Sequence, residues 1–161
     1  MPSSEKVQNT HISSRMRELH SALLEIAAAL NRPQLDDTMI REAGIALDRA
    51  LFPLLVLVER LQPIGVVELA QRVGRNYTTV SRQLAKLESL GLVARADSLA
   101  DARVREAVVT AKGKAMAAQV DAARERLGAQ IFADWDLHEF EELVRLMKKL
   151  AETFAHAGDL D

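Results

Sequence analysis

The chain has 161 residues, of which 27% are charged and 48% are hydrophobic, and its formal net charge is −2 at pH 7. It contains no cysteine, which excludes disulfides, thiolate metal sites and thiol-based redox sensing. The N-terminal residues lack the hydrophobic core of a signal peptide, and the longest apolar run, residues 51–58, is too short to span a bilayer. We therefore expect a cytoplasmic protein without a membrane partner.

The first predicted element is a long amphipathic helix. Its apolar residues alternate steps of four and three along the chain: Ile12, Met16, Leu19, Leu23, Ile26 and Leu30. This heptad spacing is typical of a helix that packs along another helix. Asn31, Arg32 and Pro33 are expected to end it.

Two shorter helices joined by a tight turn are predicted over residues 66–90. The first ends at Gly74, and Asn76 is expected to cap the second. One side of the second helix is an apolar stripe formed by Val80, Leu84, Leu87 and Leu90. The opposite side carries Thr79, Arg82, Gln83 and Lys86, which offer hydrogen-bond donors and no acid. Such side chains suit the base edges of a DNA major groove, although a solvated helix face remains the alternative.

A β-hairpin with a basic tip is predicted next. Gly91 occupies the position that closes the preceding helix. Residues 92–95 and 105–110 then have β-type patterns on either side of a polar segment, residues 97–103. A helix, turn, helix and hairpin in this order indicate a winged helix that reads DNA.

Two further helices are predicted towards the C-terminus. Residues 111–135 form a long Ala-rich helix, and Asp136 with Glu139 forms a capping box for the last one. The apolar stripe of that last helix is Phe140, Leu143, Val144, Met147, Leu150 and Phe154. These helices and the first one are more than a winged helix can cover, so they are expected to pack with each other and with a second copy. The alternative is a monomer in which they fold back on the winged helix.

The charge is unevenly distributed along the chain. Residues 65–114 contain nine Lys or Arg and five Asp or Glu, a net +4, which leaves −6 for the remainder. A basic surface on an acidic body is what a DNA-binding protein needs, because neutralising phosphates releases counterions. The acidic total argues against a chromatin-like protein that binds DNA without an operator.

The same residues resemble the MarR family of bacterial transcription regulators. The resemblance rests on Leu-Glu-x-x-Gly-Leu-Val at residues 87–93, Asp-x-Arg at residues 101–103 and the closing Val-Val-Thr-Ala-Lys-Gly at residues 108–113. It is clearest over residues 47–114. It implies a mainly α fold with a small β-hairpin wing.

In domain terms, the resemblance implies a winged helix-turn-helix DNA-binding domain at residues 47–114, with dimerisation helices at residues 10–46 and 115–158. The implied function is a homodimeric repressor that binds double-stranded DNA at a palindromic operator, an inverted repeat, and is released by a small aromatic or anionic effector. A ligand-independent regulator and a nonspecific DNA-binding protein are the alternatives.

Roles for individual DNA-binding residues follow from these elements. The side chains expected to face the major groove are Thr78, Thr79, Arg82 and Gln83. Ser81 is expected to meet a phosphate or a base edge, and the residues expected to hold the DNA backbone are Arg75, Lys86, Arg95 and Arg105. By the resemblance, Arg103 would enter the minor groove, with its guanidinium oriented by Asp101.

An effector pocket is the least specific of these predictions. By the resemblance it would lie between the first helix, residues 47–61 and the start of the long Ala-rich helix. Its candidate lining residues are His11, Arg15, Arg49 and Met116.

Enzymatic function is not expected. The four histidines, at positions 11, 20, 138 and 156, have no metal-ligand spacing, and the chain contains neither a nucleophile motif nor a phosphate-binding loop. The sequence therefore predicts a regulator without a metal or other cofactor.

Overall fold

The computed structural model describes residues 4–157, and the side chains from residue 10 onward. Within this range the elements, in chain order, are α1 Ser4–Leu30, α2 Pro33–Ala43, α3 Phe52–Leu61, β1 Ile64–Gly65, α4 Val66–Val73, α5 Tyr77–Ser89, β2 Val93–Asp97, β3 Arg105–Val109, α6 Ala111–Ile131 and α7 Leu137–Ala157. The predicted fold class, mainly α with a small β-hairpin wing, is confirmed. None of the helices in this range is long and apolar enough to cross a membrane.

The chain divides into two compact units whose boundary falls inside α6, between Val120 and Asp121. The first unit holds α1 to β3 and the start of α6, and the second holds the rest of α6 and α7. The boundaries predicted from the sequence, after residues 46 and 114, separate the DNA-binding domain from the dimerisation helices. They stay a prediction. Residue 158, the last of the predicted C-terminal arm, lies outside the described residues.

Helix ends in the first unit follow the local sequence. α1 ends at Leu30, and Pro33 opens α2, where its fixed φ and missing N–H are tolerated. Gly74 closes α4 with φ of 64°, a left-handed conformation that a side chain would disfavour. Asn76 caps α5, because its side-chain oxygen accepts a hydrogen bond from Thr79 N at 2.8 Å. The predicted cap and turn are therefore present.

One apolar core fills the first unit. It is built from side chains of α3, α4, α5 and the sheet, and its completely buried members include Leu54, Leu55, Val58, Leu69, Val80, Leu84 and Leu87. The apolar stripe of α5 thus faces inward, as predicted for Val80, Leu84 and Leu87, while Leu90 stays 36% exposed. The sequence did not predict the helix over residues 52–61, because this segment is apolar on all sides and lacks the periodicity of a surface helix.

The wing belongs to a three-stranded antiparallel sheet in the order β1-β3-β2. β2 and β3 pair from Val93 with Val109 to Asp97 with Arg105, which matches the predicted hairpin. The two-residue strand β1 pairs with β3 and was not predicted, since two residues carry no recognisable alternation. At this edge the side-chain oxygen Oε1 of Gln62, two residues before β1, accepts a hydrogen bond from Val109 N at 2.9 Å.

The second unit contains a helix end that differs from the prediction. α6 stops at Ile131 instead of continuing to Trp135. Beyond Ile131 the backbone forms tighter turns than those of an α-helix, since Ala133 N and Trp135 N donate to carbonyls three residues back. The predicted capping box then starts α7, since Glu139 N donates to Asp136 Oδ1 at 2.8 Å and Asp136 N donates to Glu139 Oε2 at 3.2 Å.

The first turn of α6 is fastened to the end of α5. Thr110 Oγ1 donates to Gly91 O at 2.6 Å, and Lys112 Nζ donates to Leu90 O at 2.8 Å. Gly113 lies at the closest approach, where a Cβ would overlap the Leu92 carbonyl oxygen and lie 2.6 Å from Val109 Cγ2. A glycine is needed here because the helix runs directly against the first residues of the wing.

We therefore expect Gly113→Ala to lower the melting temperature. The added methyl must displace backbone, an overpacking that costs about 1–3 kcal/mol. Gly128→Ala is the matched control, since Gly128 is also in α6 and nothing lies within 4 Å of the position that its added methyl would take. That change should stabilise by about 0.5–1 kcal/mol through helix propensity. Circular dichroism melts of both variants measure the difference, and equal shifts would contradict the close approach.

Candidate nucleic-acid interface

The outer side of α5 presents the donors that the sequence placed there. Thr78, Arg82 and Lys86 are exposed, whereas Thr79, Ser81 and Gln83 are half-buried at the flanks of the helix. The first turn contains no acidic residue. The face is therefore polar and cationic, with free hydrogen-bond donors near the N-terminal end of the helix, where the macrodipole is positive.

Arg75 is held by the protein itself. Its Nη1 donates to Ala50 O at 2.8 Å and to Gln83 Oε1 at 2.9 Å, and the side chain is half-buried. It thereby joins the turn before α5, the start of α3 and the middle of α5. The sequence suggested that Arg75 would be free to hold the DNA backbone. Its guanidinium instead donates to two oxygens of the protein, because one guanidinium can satisfy several carbonyl oxygens that lie close together.

The wing tip is shaped by short-range hydrogen bonds. Ser98 N donates to Val104 O at 2.9 Å, and Ser98 Oγ accepts from Ala100 N at 3.2 Å. Asp101 Oδ1 accepts from the backbone N of Arg103 at 2.9 Å. The expected pair between the Asp101 carboxylate and the Arg103 guanidinium is not present, and Asp101 Oδ1 instead closes an Asx-type turn in the backbone.

The basic residues of the two wing strands are engaged with acids. Arg95 has only 19% of its side chain exposed and lies 3.6 Å from Glu88, measured between Nε and Oε2. Arg105 is exposed and lies 3.9 Å from Asp97, its cross-strand neighbour. Arg95 is thus packed against the end of α5, although the sequence predicted that it would contact a phosphate. Arg105 retains access to solvent.

Three cations of this surface have no ion-pair partner among the described residues. They are Arg82, Lys86 and Arg103, two on α5 and one on the wing. An unpaired cation on an exposed surface is available for a phosphate or a base edge without the loss of an internal interaction.

A separate cleft of about 750 Å³ opens between the α1–α2 junction, the start of α3 and the end of α4. Its polar lining includes Asp36, Asp48, Arg49, Arg72 and Arg75, and its apolar lining includes Leu30, Pro53, Leu57 and Val73. Three guanidiniums beside apolar side chains can hold a small organic acid, although Arg49 and Arg72 also pair with Asp37 and Glu68 and two carboxylates share the lining.

The four predicted effector residues are not brought together. Arg49 lines the cleft and pairs with Asp37 at 3.1 Å. His11 and Arg15 are exposed on α1, where Arg15 pairs with Glu18, and neither lines the cleft. Met116 packs against the apolar core, because its position on α6 faces inward. In the described range, no group of three or more His, Asp or Glu residues could hold a metal ion.

Comparison with known proteins gives consistent results. The family model described as HVO_A0114 matches residues 40–110. The chain is 29% identical over 108 residues to an uncharacterized HTH-type transcriptional regulator, YxaD, of Bacillus subtilis, covering 67% of this chain and 76% of that protein. It is 27% identical over 128 residues to the HTH-type transcriptional repressor Rv2887 of Mycobacterium tuberculosis, covering 80% of this chain and 90% of that protein.

Solved structures share the architecture. A MarR family protein from Bacillus stearothermophilus matches with a TM-score of 0.69 at 22% identity, over 89% of this chain and 97% of that one. Rv2887, solved in complex with salicylic acid, matches with a TM-score of 0.58 at 27% identity, over 80% of this chain and 93% of that one. These matches in sequence and fold support a MarR family regulator. The relatives are HTH-type transcriptional regulators, which supports a DNA-binding transcriptional regulator, and no catalytic function is indicated.

Sequence reasoning missed most of the cleft. Asp36, Asp48 and Pro53 come from α2, from the loop before α3 and from α3 itself, segments without a recognisable motif. A weak signal was present, since Asp36, Asp37 and Arg49 are charged residues that flank otherwise apolar segments. Only the folded chain shows that these residues face Arg72 and Arg75.

Asp36 is electrostatically disfavoured in its charged form. Burial is the main factor that raises its pKa above the ordinary value of 3.8, and the neighbouring Asp37 carboxylate raises it further, while Arg49 and Arg75 act in the opposite direction. A raised pKa means that the folded chain binds this proton more tightly than the unfolded chain does. Ionisation of Asp36 therefore costs stability as the pH rises from 3.8 through the raised value.

Asp36→Asn should accordingly raise the melting temperature at pH 7, and the gain should vanish below pH 3.8, where the carboxyl is neutral in both folded and unfolded chains. Asp37→Asn is the matched control. It removes both the exposed 3.1 Å pair with Arg49 and the repulsion of the Asp36 carboxylate, so its melting temperature at pH 7 should change little. Melts at pH 7 and pH 3 test this, and an Asp36→Asn gain of equal size at both values would refute it.

Proposed function

We propose that the chain is a dimeric repressor that binds a palindromic operator through α5 and the wing and is released by a small anionic ligand. The observation that carries the proposal is the capped helix α5, with a buried apolar face and an outer face whose Arg82 and Lys86 have no acidic partner among the described residues. Such a helix can enter a major groove with its donors directed at base edges.

The roles of individual residues are assigned by exposure. Thr78 and Arg82 are placed to reach base edges, with Thr79, Ser81 and Gln83 at the sides of the contact. Lys86 and Arg105 hold phosphates, and Arg103 at the wing enters the minor groove. Arg75, Arg95 and Asp101 support this surface from within it, as their hydrogen bonds and ion pair suggest.

Dimerisation is supported by apolar side chains that remain exposed on both terminal helices. On α1 these include Ile12, Met16, Ile26 and Leu30, and on α7 they include Phe140, Val144, Met147 and Phe154. α7 buries none of its residues. Apolar faces of this kind are usually covered in a homodimer, and two copies would place two reading helices on one inverted repeat.

The cleft is the proposed effector site. Its three guanidiniums match a carboxylate, and Leu30, Pro53, Leu57 and Val73 offer apolar contacts to a ring. Rv2887 is a relative that was crystallised with salicylic acid, which makes salicylate a reasonable probe. Ligand release supports a repressor better than a constitutive regulator, because the ligand then couples a chemical signal to operator occupancy.

DNA binding is tested by fluorescence anisotropy with a labelled fragment from upstream of the chain's own gene and random DNA as competitor. We expect specific binding at least ~10³-fold tighter than binding to random DNA, with two chains per fragment by sedimentation. Arg103→Ala should weaken binding roughly tenfold and reduce its salt dependence without changing the melting temperature. Arg145→Ala is the matched control, since Arg145 lies on α7 and pairs with Glu142.

Several outcomes would contradict this function. Equal affinity for the operator fragment and random DNA would leave a nonspecific DNA-binding protein. One chain per fragment would remove the dimer. Unchanged affinity in Arg103→Ala, with normal behaviour of the wild-type chain, would remove the wing from the DNA contact.

Effector release is tested by adding salicylate to the preformed complex. We expect millimolar salicylate to lower the anisotropy, and Arg49→Ala to require at least several-fold more salicylate, because this change removes one of the three guanidiniums of the cleft. Arg15→Ala is the control, since Arg15 is also an exposed, charged residue but does not line the cleft. If a broad panel of aromatic acids leaves the complex intact, the ligand-independent regulator is the correct function.

A further inference from the structure

We infer that Arg75 is a positioning residue that engages the Gln83 carbonyl oxygen, leaves the amino group of the amide free, and thereby biases the base preference of Gln83. The inference rests on the proposed function, since it requires α5 to face the major groove. It concerns a property that exposure and charge alone do not give, namely which end of the Gln83 amide is available.

The orientation of the Gln83 amide is fixed by chemistry. The guanidinium of Arg75 only donates hydrogen bonds, so the Gln83 atom that faces Arg75 Nη1 at 2.9 Å must be the carbonyl oxygen Oε1. The reverse orientation would set two donors against each other. The Nε2 amino group must therefore be directed away from Arg75, and no acceptor of the described residues takes it up.

Arg75 is itself held in place, so it can act as a fixed reference. The same Nη1 donates to Ala50 O at 2.8 Å, where the backbone enters α3. α3 belongs to the buried core, since Leu54, Leu55 and Val58 are completely buried. The two hydrogen bonds of Arg75 therefore connect Gln83 to a rigid part of the protein instead of to a mobile surface side chain.

Gln83 lies beside the two cations of α5 that have no acidic partner in the described range. It lines a shallow depression of about 220 Å³ with Arg82 and Lys86, and with Asp48, Ala50 and Leu51 from the segment before α3. Nε2 at the edge of this surface can donate to an acceptor on a base that approaches the outer side of α5.

This orientation of the Gln83 amide changes which bases its side chain can recognise. Glutamine recognises adenine by donating to N7 and accepting from N6, which requires a free carbonyl oxygen. Arg75 occupies one of the two lone pairs of Oε1, so acceptance from adenine N6 is weakened. The remaining donor suits guanine, which offers the acceptors N7 and O6, or thymine, which offers O4, and it disfavours cytosine, which offers only a donor.

The test is a selection of binding sites from a randomised DNA pool with the full-length protein, followed by sequencing. The wild-type chain should show guanine or thymine at the position read by Gln83, identified as the position whose preference disappears in Gln83→Met. In Arg75→Met the carbonyl oxygen is released, and the preference at this same position should move towards adenine by roughly tenfold relative to wild type.

Two further variants keep the inference falsifiable if Arg75→Met is unstable. Arg75→Lys retains a donor and should keep the wild-type preference. Gln83→Glu leaves Arg75 one carboxylate oxygen and presents the other as an acceptor, so the preference should move to cytosine, the base with an exposed amino donor. Melting temperatures of all variants show which of them are folded.

The outcomes separate this inference from the proposed function. If no sequence is enriched by the wild-type chain, the proposed function fails. If a motif is enriched but folded Arg75→Met, or Gln83→Glu, retains the wild-type base at the Gln83 position, the DNA-reading function stands and the positioning role of Arg75 is overturned. The same holds if Gln83→Met alters no position of the motif.

Discussion

Complete burial of one face of α5 is the constraint on which the DNA-reading surface depends. Val80, Leu84 and Leu87 have no exposed surface, so the helix cannot rotate without opening the core. Truncating one such leucine to alanine typically costs about 2–5 kcal/mol, a large part of the stability of a small domain. The donors on the opposite side are therefore presented in one orientation.

Both ends of α5 reinforce this orientation. Asn76 caps the first turn, and Lys112 from α6 donates to Leu90 O, a carbonyl that the helix itself leaves unpaired. A lysine at this end is also favoured by the macrodipole. Gly113 allows the first turn of α6 to lie directly against the first residues of the wing. The same turn of α6 therefore contacts both the end of α5 and the wing.

The sequence predicted the parts of the fold that depend on local patterns. The cap at Asn76, the stop at Gly74 and the box at Asp136 need only neighbouring residues, and all three occur in the structure. By contrast, β1 and the helices α2 and α3 depend on long-range packing, which periodicity does not report. α6 ends early because the backbone before Asp136 changes to three-residue turns.

The same distinction applies to the candidate site. Which residues are basic could be listed from the sequence, but which of them are free could not. Arg75 donates to Ala50 O, 25 positions away along the chain, and Arg95 is ion-paired with Glu88, 7 positions away, although the buried Nε of Arg95 has no hydrogen-bond partner among the described residues. No local motif encodes these pairs. The basic count of residues 65–114 therefore overstates the charge available for DNA.

Arg75 also connects the two surfaces that the proposed function requires. It lines the cleft, and its Nη1 holds Ala50 O and Gln83 Oε1. A carboxylate that attracts this guanidinium would draw it from Gln83, so ligand in the cleft and DNA on α5 would favour different positions of one side chain. By thermodynamic linkage the effect is reciprocal: a ligand that lowers operator affinity by some factor is itself bound more weakly by that factor on the operator. The size of the coupling is bounded by what the Arg75 contacts contribute, because a ligand shifts an equilibrium only by its differential affinity for the two arrangements.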